Sequence, residues 1–554
     1  MKYLLIGINS KYSHTNLAIR ILRAYAKSPE VSLCEYTINE NRADVLSDIY
    51  KKGAKALFFS CYIWNVEYIK KLCMELRKIT DAKIILGGPE VSFNTEQIMR
   101  ECPAVDAVII GEGEETFSEL IQNGLDFENT DGVMWRSDSL VKNKSRELID
   151  INKVVFPYTK EEIKKLKDRL VYYETARGCP FNCSYCMSST IKGVRYKSLD
   201  IVKEELKFFI DNDVKIVKLT DRTFNANPKR AYKILKFLIE NAKNTTFHFE
   251  IAAHILDDEL FSLLEKAPKN LFQFEIGVQS TNPSTISAIN RKTDFLKISK
   301  EVKRIKALKN IHIHLDLIAG LPYETLDIFK KSFNDVFLLK PDMLQLGFLK
   351  LLHGTKIRAE EESHGYLYSD FPPYEILENS YISYKELTEL KQVEDIVDKF
   401  YNSGVFLNTV EFLLKKYETP YDMFYDLSKY FDENGLFSVS HSRNGLYEIL
   451  VRFSQEKGFC DIFLDILKLD LFLSGANRSP EWSPEKHDEN FYKKRFEFIE
   501  NNPEIFCEFT IPPKEIIKQV QFEKFSYDVL GDLKKKDTVI VFFKDGRVKE
   551  LNKI

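Results

Sequence analysis

The sequence lacks the features that mark several large classes of protein. Nine cysteines in 554 residues are too few to hold a fold together by disulfide bonds, which favours a reducing compartment. No apolar run approaches the roughly 20 residues of a membrane-spanning helix, and residues 1–8 are too short for a secretory signal. A formal net charge of −3 gives no general attraction to nucleic acid, so such partners are not expected. These absences favour a cytoplasmic protein.

What remains is the composition of an ordinary globular protein. Hydrophobic residues make up 44% of the chain and charged residues 29%, which is close to the average for soluble domains. At roughly 100–200 residues per domain, the length predicts about three domains. We expect them at residues 1–125, 170–355 and 356–554, with a linker at 126–169. Each of the three is long enough to bury a core of its own.

The densest chemical signal is a loop with three cysteines, Cys179, Cys183 and Cys186. It follows an apolar run at residues 171–173 that predicts a strand. A structural zinc ion usually has four protein ligands, and no fourth cysteine or histidine follows within a few positions. Iron–sulfur clusters are normally held by cysteine thiolates. The spacing therefore favours a 4Fe-4S cluster with one open iron, with a partial zinc site as the alternative.

The Cys-x-x-x-Cys-x-x-Cys spacing resembles the cluster loop of the radical S-adenosylmethionine (SAM) family. This resemblance implies that the open iron chelates the amino and carboxylate groups of SAM. It also implies that Tyr185, the aromatic residue before the third cysteine, lies near the adenine. Chemistry at an open iron is sensitive to oxygen, so we expect an anaerobic or micro-aerobic cytoplasm.

Residues 1–125 alternate apolar runs with helical periodicity. Strands are predicted at residues 3–8, 56–60, 83–86 and 107–110, and helices at 16–27 and 66–79. Short buried strands that alternate with helices are typical of a doubly wound, Rossmann-like parallel sheet. Ligands of such sheets bind beyond the carboxyl ends of the strands, which makes the loops after these strands the candidate binding site.

Two of those loops are rich in glycine and carry a second resemblance. The pattern LGGPEVS at residues 86–92 and VDAVIIGEGEETFSEL at 105–120 resembles the cobalamin-binding domain that precedes many radical SAM domains. The rival GxGxxG fingerprint of dinucleotide binding does not open the first helix. The cobalamin contacts that the resemblance implies are Tyr12, Ser13, Ser60, Tyr62, Trp64, Asn65, Gly87, Gly88, Pro89, Glu90, Gly111, Glu112, Gly113 and Glu114.

The first loop departs from cobalamin domains that bind cobalt through the histidine of an Asp-x-His-x-x-Gly motif. His14 is present, but Tyr12 stands where that motif has aspartate, and metal-binding histidines usually have such an outer partner. We therefore expect cobalamin to bind without a histidine ligand, with Tyr62 or Trp64 below the corrin. Trp64 is equally compatible with a role as a core aromatic.

The remaining cysteines show no metal-binding pattern. Those of the N-terminal region are Cys34, Cys61, Cys73 and Cys102. Buried packing is the usual role of cysteine, and their spacing does not resemble the second-cluster motif of methylthio-transferring radical SAM proteins. Cys460 and Cys507 have no potential ligands nearby in the sequence.

Residues 170–355 return to strand–helix alternation. After the run at 171–174, strands are predicted at residues 215–219, 246–252, 271–278, 312–318 and 343–349, with helices between them. Six such steps predict the partial TIM-type (β/α)6 barrel of radical SAM enzymes. Active sites in such barrels lie at the carboxyl ends of the strands, and the cluster loop follows the first strand.

Residues at these strand ends are candidates for SAM binding by the same resemblance. Asp221 stands where the family has a Gly-Gly-Glu segment, and either its carboxylate or nearby backbone carbonyls accept from the SAM ammonium. Glu275 and Gln279 are candidates for the ribose hydroxyls, and Ile318 lies in a fifth-strand motif that flanks the adenine. The alternative for the polar candidates is a structural ion pair at the rim of the barrel.

Residues 356–554 resemble the C-terminal region of uncharacterised cobalamin–radical SAM proteins. Helices are predicted at residues 385–401 and 405–417, and strands within 520–552 with a hairpin turn at 544–547. This α+β region is expected to be mainly helical, to cap the barrel and to shape the substrate pocket.

Together the resemblances imply a cobalamin-dependent radical SAM enzyme. One electron from an external flavodoxin- or ferredoxin-type donor would cleave SAM to a 5′-deoxyadenosyl radical, and methylation of an unactivated carbon would follow. The alternatives are a cyclisation or rearrangement with the same cofactors, and an N-terminal domain that is only a scaffold. A non-enzymatic zinc or regulatory protein is the alternative hypothesis from another class of protein. We expect the substrate to be a small molecule, a peptide or a lipid precursor.

Overall fold

Seven strands form the N-terminal sheet of the structure, a computed structural model that describes residues 2–459, 461–485, 487, 489–506, 509 and 511–551. The sheet order is β2–β1–β3–β4–β5–β6–β7, and the last two strands are antiparallel. The strands are β1 (Tyr3–Asn9), β2 (Val31–Thr37), β3 (Ala56–Ser60), β4 (Lys83–Gly87), β5 (Ala107–Ile109), β6 (Val133–Arg136) and β7 (Leu140–Lys142).

Helices cover both faces of this sheet. They are α1 (Leu17–Ala26), α2 (Arg42–Lys51), α3 (Val66–Leu76), α4 (Pro89–Ser92), α5 (Thr95–Glu101) and α6 (Glu114–Gln122). The central strand β1 is buried at every position because its apolar residues face helices on both sides. Strand order reverses between β1 and β3, and ligands of doubly wound sheets bind at such a switch point. The fold therefore makes the loops after β1 and β3 the candidate ligand-binding site.

Strand β2 and helix α2 lie where the sequence analysis predicts no element. Strand β2 is an edge strand, and its middle residues, such as Ser32 and Glu35, are only half-buried. An edge strand needs no continuous apolar run, which is why its pattern is weak. Strands β6 and β7 fall within the range predicted as a linker, because Val133 and Met134 complete the sheet beside β5.

The central region forms an open sheet of six strands in the order β15–β14–β13–β12–β11–β8. Its elements are α7 (Lys160–Lys165), β8 (Val171–Tyr173), β9 (Ala176–Cys179), β10 (Gly193–Tyr196), α8 (Leu199–Asp211), β11 (Ile216–Leu219), α9 (Pro228–Asn241), β12 (Thr246–Glu250), α10 (Asp258–Leu264), β13 (Phe272–Gln279), α11 (Pro283–Ala288), α12 (Phe295–Leu308), β14 (His312–Ala319), α13 (Leu326–Phe337) and β15 (Met343–Phe348). The predicted α/β class, with a Rossmann-like domain before a partial barrel, is confirmed.

The two faces of this sheet differ in chemistry. Phe247, Phe249, Phe272 and Phe274 alternate along β12 and β13 and are almost completely buried. Each buried phenylalanine contributes about 2–3 kcal/mol to stability. The residues between them, which point to the opposite face, are polar, as in the sequence Thr-Phe-His-Phe-Glu of β12. An ordinary TIM barrel fills that inner face with branched apolar side chains, so the inner face here is suited to a polar ligand.

The chain then forms short elements before a helical region. They are α14 (Lys356–Ala359), α15 (Glu361–His364), β16 (Leu367–Tyr368) and β17 (Ile376–Glu378). The chain divides into two compact units, one of residues up to 341 with 346–387, the other of residues 342–345 with those from 388 onwards.

The second unit is mainly helical with a terminal sheet, as the sequence predicts. Its elements are α16 (Tyr384–Val397), which begins in the first unit, α17 (Leu407–Leu414), α18 (Pro420–Glu433), α19 (Arg443–Glu456), α20 (Asp461–Leu473), α21 (Glu489–Asn501), α22 (Pro513–Ile516), β18 (Val520–Tyr527), β19 (Lys535–Phe543) and β20 (Val548–Leu551). Buried Asp470 of α20 accepts N–H bonds from Asn408 and Thr409 and so caps the start of α17. Cys460, Cys507 and residue 552 of the predicted strand range lie outside the described residues.

Across the part of the chain that the structure describes, no helix has both the length and the apolar surface needed to cross a membrane.

Gly88 supports a test of the N-terminal fold. Its φ of +117° is in a region that favours glycine, and an added Cβ would lie 2.4 Å from the carbonyl oxygen of Cys61. We expect Gly88→Ala to lower the free energy of unfolding by about 3 kcal/mol, through backbone strain and the clash. Urea unfolding followed by tryptophan fluorescence measures this, since two of the three tryptophans, Trp64 and Trp135, lie in this domain.

Gly53→Ala is the matched control. Gly53 also has positive φ, +59°, but nothing lies within 4 Å of its added Cβ, so only a cost of about 1 kcal/mol is expected. Equal losses for the two variants would show that the close contact between residues 88 and 61 is not formed.

Candidate active site

The cysteine loop begins at the end of β9, directly after the first strand of the open sheet. Strand β9 pairs with β10 in an antiparallel ladder. Gly178 has a φ of +96°, and an added Cβ would lie 2.1 Å from the carbonyl oxygen of Gly193. Only glycine fits this position, so the sequence Gly178-Cys179 fixes where the chain leaves the ladder and where the first sulfur stands.

The three cysteines lie on one short, ordered loop. Cys183 is buried and Cys179 and Cys186 are half-buried. The Cys186 N–H donates to the Cys183 carbonyl at 3.1 Å, and the next residue after Cys183, Ser184, donates to the carbonyl of Ile289 at 2.9 Å. The hydroxyl oxygen of Thr223 lies 3.4 Å from Cys179 Sγ. The loop is therefore anchored to the segments after β11 and β13.

The spacing of the sulfurs bears on the zinc alternative. Zn–S bonds of about 2.3 Å place the thiolates of one ion within about 4 Å of one another. In the described part of the chain, His248, Glu275 and His314 place one ligand atom each within 4.8 Å of one another, as the ligands of a single metal ion would. The three cysteine sulfurs do not lie that close together. A larger centre such as an iron–sulfur cube is the better fit to this loop.

Arg291 lies beside the cysteine loop, and the sequence patterns gave no signal for it. Its Nη1 lies 3.6 Å from Cys183 Sγ and 3.3 Å from the Tyr185 hydroxyl, and its Nη2 donates to the Gly277 carbonyl at 2.5 Å. Burial lowers the pKa of Arg291, but Tyr185 and Cys183 raise it overall. The structure therefore places a permanent positive charge next to a predicted cluster ligand and to the tyrosine predicted to lie near the adenine.

Glu275 is the best-paired carboxylate of the inner face. It accepts from Lys218 at 3.0 Å and lies 2.8 Å from His248 Nε2. Burial alone would raise its pKa, but the hydrogen bond with His248 and the charge of Lys218 lower the pKa to about 2. The ribose contact of Glu275 stays a prediction, and its structural alternative, an ion pair, is formed.

Gln279, a predicted SAM contact, and Asp316, two residues before Ile318, each have a buried oxygen that no described residue pairs with. Gln279 ends β13 with a φ of +72°, and its side chain folds back over Gly277. Its Oε1 atom and Asp316 Oδ1 are buried, and neither has a hydrogen-bond partner among the described residues. Burial, with the charges of Glu275 and Glu250, raises the pKa of Asp316. These two oxygens can accept from hydroxyl groups of a ligand.

Asp221 is engaged within the protein. It is fully buried and accepts from the Thr175 N–H at 2.7 Å and from the Thr175 hydroxyl. Burial raises its pKa, while these bonds act in the opposite direction. Asp221 thus ties the strand before the cysteine loop to β11. Ile318, the predicted adenine neighbour, is half-buried on β14, within about 4 Å of where a side chain on Gly347 would begin.

Glu324 is a further buried acid that the sequence analysis missed. It follows β14 and accepts from the Ser280 hydroxyl. Burial raises the pKa of Glu324 to about 8, although the bonds from Ser280 and Ser332 lower it. It links the chain after β14 to the residue that follows Gln279, and so holds the position of Gln279.

The loop after β3 in the N-terminal domain is held in place by the hydrogen bonds of one asparagine. Buried Asn65 donates to the carbonyls of Ile8 and Ser60 at 2.8 and 3.0 Å and accepts from the Tyr62 N–H at 2.7 Å. The Tyr62 and Trp64 rings stack with centroids 4.4 Å apart and planes 5° apart. Trp64 is 44% exposed, so it presents aromatic surface at the switch point and is not a core residue.

The loop after β1 lies next to the open sheet. Tyr12 is 70% exposed, with the Arg169 guanidinium 4.3 Å from its ring centre. The Ser13 carbonyl accepts from the Leu170 N–H at 2.7 Å. His14 Nδ1 forms a 3.0 Å hydrogen bond with the Tyr172 hydroxyl, which occupies one ring nitrogen with a residue of β8.

The two glycine loops are positioned by buried partners. Gly87 ends β4 and its carbonyl accepts from the Cys61 N–H at 2.7 Å. Pro89 opens α4, and Glu90 Oε1 accepts from the Tyr374 hydroxyl at 2.6 Å. In the second loop, Gly111 has positive φ with open space around its Cα, and Gly113 precedes α6.

Glu112 and Glu114 of the second loop form ion pairs with Arg177, which lies on β9, the strand that leads into the cysteine loop. Arg177, two residues before Cys179, lies 3.3 Å from Glu112, 2.5 Å from Glu114 and 2.9 Å from Glu174. Burial lowers the pKa of Arg177, but Glu174 and Glu114 raise it overall. Arg195 adds a 2.5 Å ion pair to Glu112. The loop predicted to hold cobalamin and the strand that leads to the cysteines are therefore joined by one buried ionic cluster.

Family comparisons place three known domain types along the chain. Residues 3–121 match the profile described as B12 binding domain, residues 173–336 match Radical SAM superfamily, and residues 362–542 match a profile described as protein of unknown function (DUF4080). The chain therefore combines a B12-binding domain with a radical SAM domain, which confirms the domain types that the sequence analysis predicts. The predicted set of cobalamin, a 4Fe-4S cluster and SAM is confirmed at the level of these domains.

Two relatives illustrate the sequence similarity. The chain is 27% identical over 288 residues to an uncharacterized methyltransferase of Pyrococcus horikoshii, a match that covers 50% of this chain and 62% of the relative. It is 26% identical over 362 residues to the cobalamin-dependent radical SAM methyltransferase TokK of Streptomyces tokunonensis, covering 60% of this chain and 52% of TokK. The matches span about half to three-fifths of the length of these relatives.

Solved structures support the fold. The cobalamin-dependent SAM radical enzyme OxsB, solved with aqua-cobalamin bound, superimposes with a TM-score of 0.58 at 13% identity, over 93% of this chain and 78% of OxsB. The methyltransferase TsrM of Kitasatospora setae, solved with cobalamin and a [4Fe-4S] cluster bound, gives a TM-score of 0.56 at 15% identity, over 68% of this chain and 79% of TsrM. At such low sequence identities, the structural similarity establishes the fold alone.

The Arg177 cluster supports a second test. Removing the guanidinium in Arg177→Met leaves Glu114 and Glu174 without their cation, while Glu112 keeps its ion pair with Arg195, and we expect the free energy of unfolding to fall by about 3 kcal/mol. The control is Arg100→Met, which removes an exposed ion pair with Glu96 and is expected to cost less than about 1 kcal/mol. Urea unfolding measures both, and similar small losses would contradict the buried cluster.

Proposed function

We propose that this protein is a cobalamin-dependent radical SAM enzyme that transfers a methyl group to an unactivated carbon. The observation that carries the proposal is the cysteine loop, in which three sulfurs follow the first strand of a six-stranded open sheet and are joined through Arg177 to the glycine loop of a B12-binding domain. When bound, the cluster and SAM supply a 5′-deoxyadenosyl radical, and cobalamin supplies a methyl carrier.

The donor set around the cysteines fits SAM. Arg291 provides a cation next to Cys183, which suits the carboxylate of the methionine part of SAM. The unpartnered oxygens of Gln279 and Asp316 suit the two ribose hydroxyls. Both carboxylate oxygens of Asp221 already accept a hydrogen bond from Thr175. We therefore assign the SAM ammonium to backbone carbonyls near Thr223, the second of the two options that the sequence leaves open.

The N-terminal loops fit a large planar ligand. Gly111 leaves open space where any other residue would place a side chain, and Gly88 and Gly111 both have positive φ. The Glu112, Glu114 and Glu90 carboxylates are engaged with Arg177, Arg195 and Tyr374, so contacts of these loops with a corrin would come from the backbone. The stacked Tyr62–Trp64 pair offers an exposed aromatic surface, and His14 is engaged by Tyr172. These facts favour cobalamin without a histidine ligand.

One sequence comparison supports a second function within the same class of enzyme. The chain is 21% identical over 332 residues to the anaerobic magnesium-protoporphyrin IX monomethyl ester cyclase of Cereibacter sphaeroides, over 56% of this chain and 53% of the relative. Ring closure with the same cofactors is therefore the alternative outcome. We propose a small-molecule or peptide substrate, an external one-electron donor and a cytoplasmic location for either reaction.

The experiment is anaerobic reconstitution with iron and sulfide, followed by reduction and measurement of 5′-deoxyadenosine from SAM. We expect Cys183→Ala to lose the cluster and to reduce SAM cleavage to background, because a cluster thiolate is removed. Cys102→Ala is the matched control: Cys102 is also buried, but it lies in the N-terminal domain. The proposal fails if Cys183→Ala cleaves SAM as fast as Cys102→Ala does.

A further inference from the structure

The chain carries a strongly basic segment next to the cysteine loop. Residues 291–309 contain eight lysines and arginines but only two acidic residues, whereas the whole chain has a net charge of −3. The segment comprises Arg291, Lys292 and helix α12. This concentration of positive charge contrasts with the rest of the chain, in which acidic residues outnumber basic ones.

The basic side chains of α12 form an exposed stripe. Lys297, Lys300 and Lys303 are exposed and follow one another at helical spacing. Lys297 has no ion-pair partner within the described ranges, and Lys300 has a loose contact with Glu301 at 3.9 Å. The positive field reaches neighbouring groups: burial lowers the pKa of His254, and the charges of Arg291 and Lys297 lower it further. The stripe therefore offers several cations to a binding partner.

An apolar residue and a recess lie at the end of the stripe that is nearest to the cysteine loop. Leu296 is 78% exposed. A recess of about 410 Å³ is lined by residues that include His254, Ser287, Arg291, Lys292 and Lys297. An exposed leucine with lysines around it is typical of a docking surface, where apolar contact fixes the position and charge provides the attraction.

The wall of this recess is in direct contact with the predicted cluster ligands. Arg291 lines the recess and also lies 3.6 Å from Cys183 Sγ. His254, on another wall, packs against the ring of Phe181 in the cysteine loop, with centroids 5.7 Å apart. Asn290 donates to the Asn182 carbonyl at 2.9 Å. A partner seated here would be separated from the cluster by little more than one layer of side chains.

We propose that this surface is the docking site for an acidic electron-carrier protein that reduces the cluster. This inference rests on the proposed function, since it requires the cluster. One electron leaves the reduced carrier and enters the cluster; the carrier is oxidised and the cluster is reduced, and no bond forms or breaks in this chain. The basic stripe attracts an acidic carrier and raises its association rate. Leu296 and the recess set its position.

The test uses the reconstituted full chain and reduced flavodoxin as the probe. In the triple variant Lys297→Glu, Lys300→Glu and Lys303→Glu, we expect SAM cleavage driven by flavodoxin to fall at least about tenfold at low salt. Cleavage driven by dithionite, a small reductant that needs no docking, should be unchanged. For the unaltered chain, the flavodoxin-driven rate should also fall as salt rises, because salt screens the attraction.

A control variant reverses the same number of charges elsewhere. Lys51→Glu, Lys71→Glu and Lys78→Glu change three exposed lysines of the N-terminal domain, and this variant should keep the full rate with flavodoxin. The proposal is overturned if the α12 variant keeps the full flavodoxin rate, if the control loses as much, or if the α12 variant loses the dithionite rate equally. Absence of dithionite-driven cleavage in the unaltered chain would instead refute the proposed function.

Discussion

A buried guanidinium between two domains is the interaction on which the arrangement of this protein depends. Arg177 stands two residues before the first cysteine and needs negative partners because only 14% of its side chain is exposed to water. Glu174 of its own segment supplies one, and the glycine loop of the N-terminal domain supplies Glu112 and Glu114. Glu112 has a second cation partner in Arg195. The cysteine loop and the B12-binding loop are therefore held beside each other by electrostatics as well as by packing.

Charged side chains are also paired on the inner face of the open sheet. Lys218 and His248 hold Glu275 in its ionised form, while Gln279 and Asp316 each keep a buried oxygen unused. Buried polar groups are nearly always paired in folded proteins. We therefore propose that a ligand pairs with these two oxygens, which lie on the neighbouring strands β13 and β14.

Much of the fold could be predicted because its signals are local. Buried parallel strands are apolar runs, and the three cysteines are adjacent in the sequence, so both were found from the sequence alone. Edge strand β2 was missed because half-exposed residues carry no such run. Arg291 was missed for a different reason: it is more than 100 residues from Cys183, and only the folding of β13 and its following loop brings them together. Asp221 and Glu112 show a third limit, since a sequence position at a strand end cannot reveal that its carboxylate is already bound by another residue.

We propose that one chain holds a cluster and a corrin in neighbouring sites. The most direct measurement is cobalt and iron analysis of the full chain after anaerobic loading with iron, sulfide and hydroxocobalamin. Chemical reduction of the cobalt to Co(I) and incubation with SAM that carries a deuterated methyl group then follow. We predict about one cobalt for about four irons per chain, with the deuterated methyl group recovered on the cobalamin. A chain that keeps its iron but loses all cobalt on gel filtration would contradict the claim.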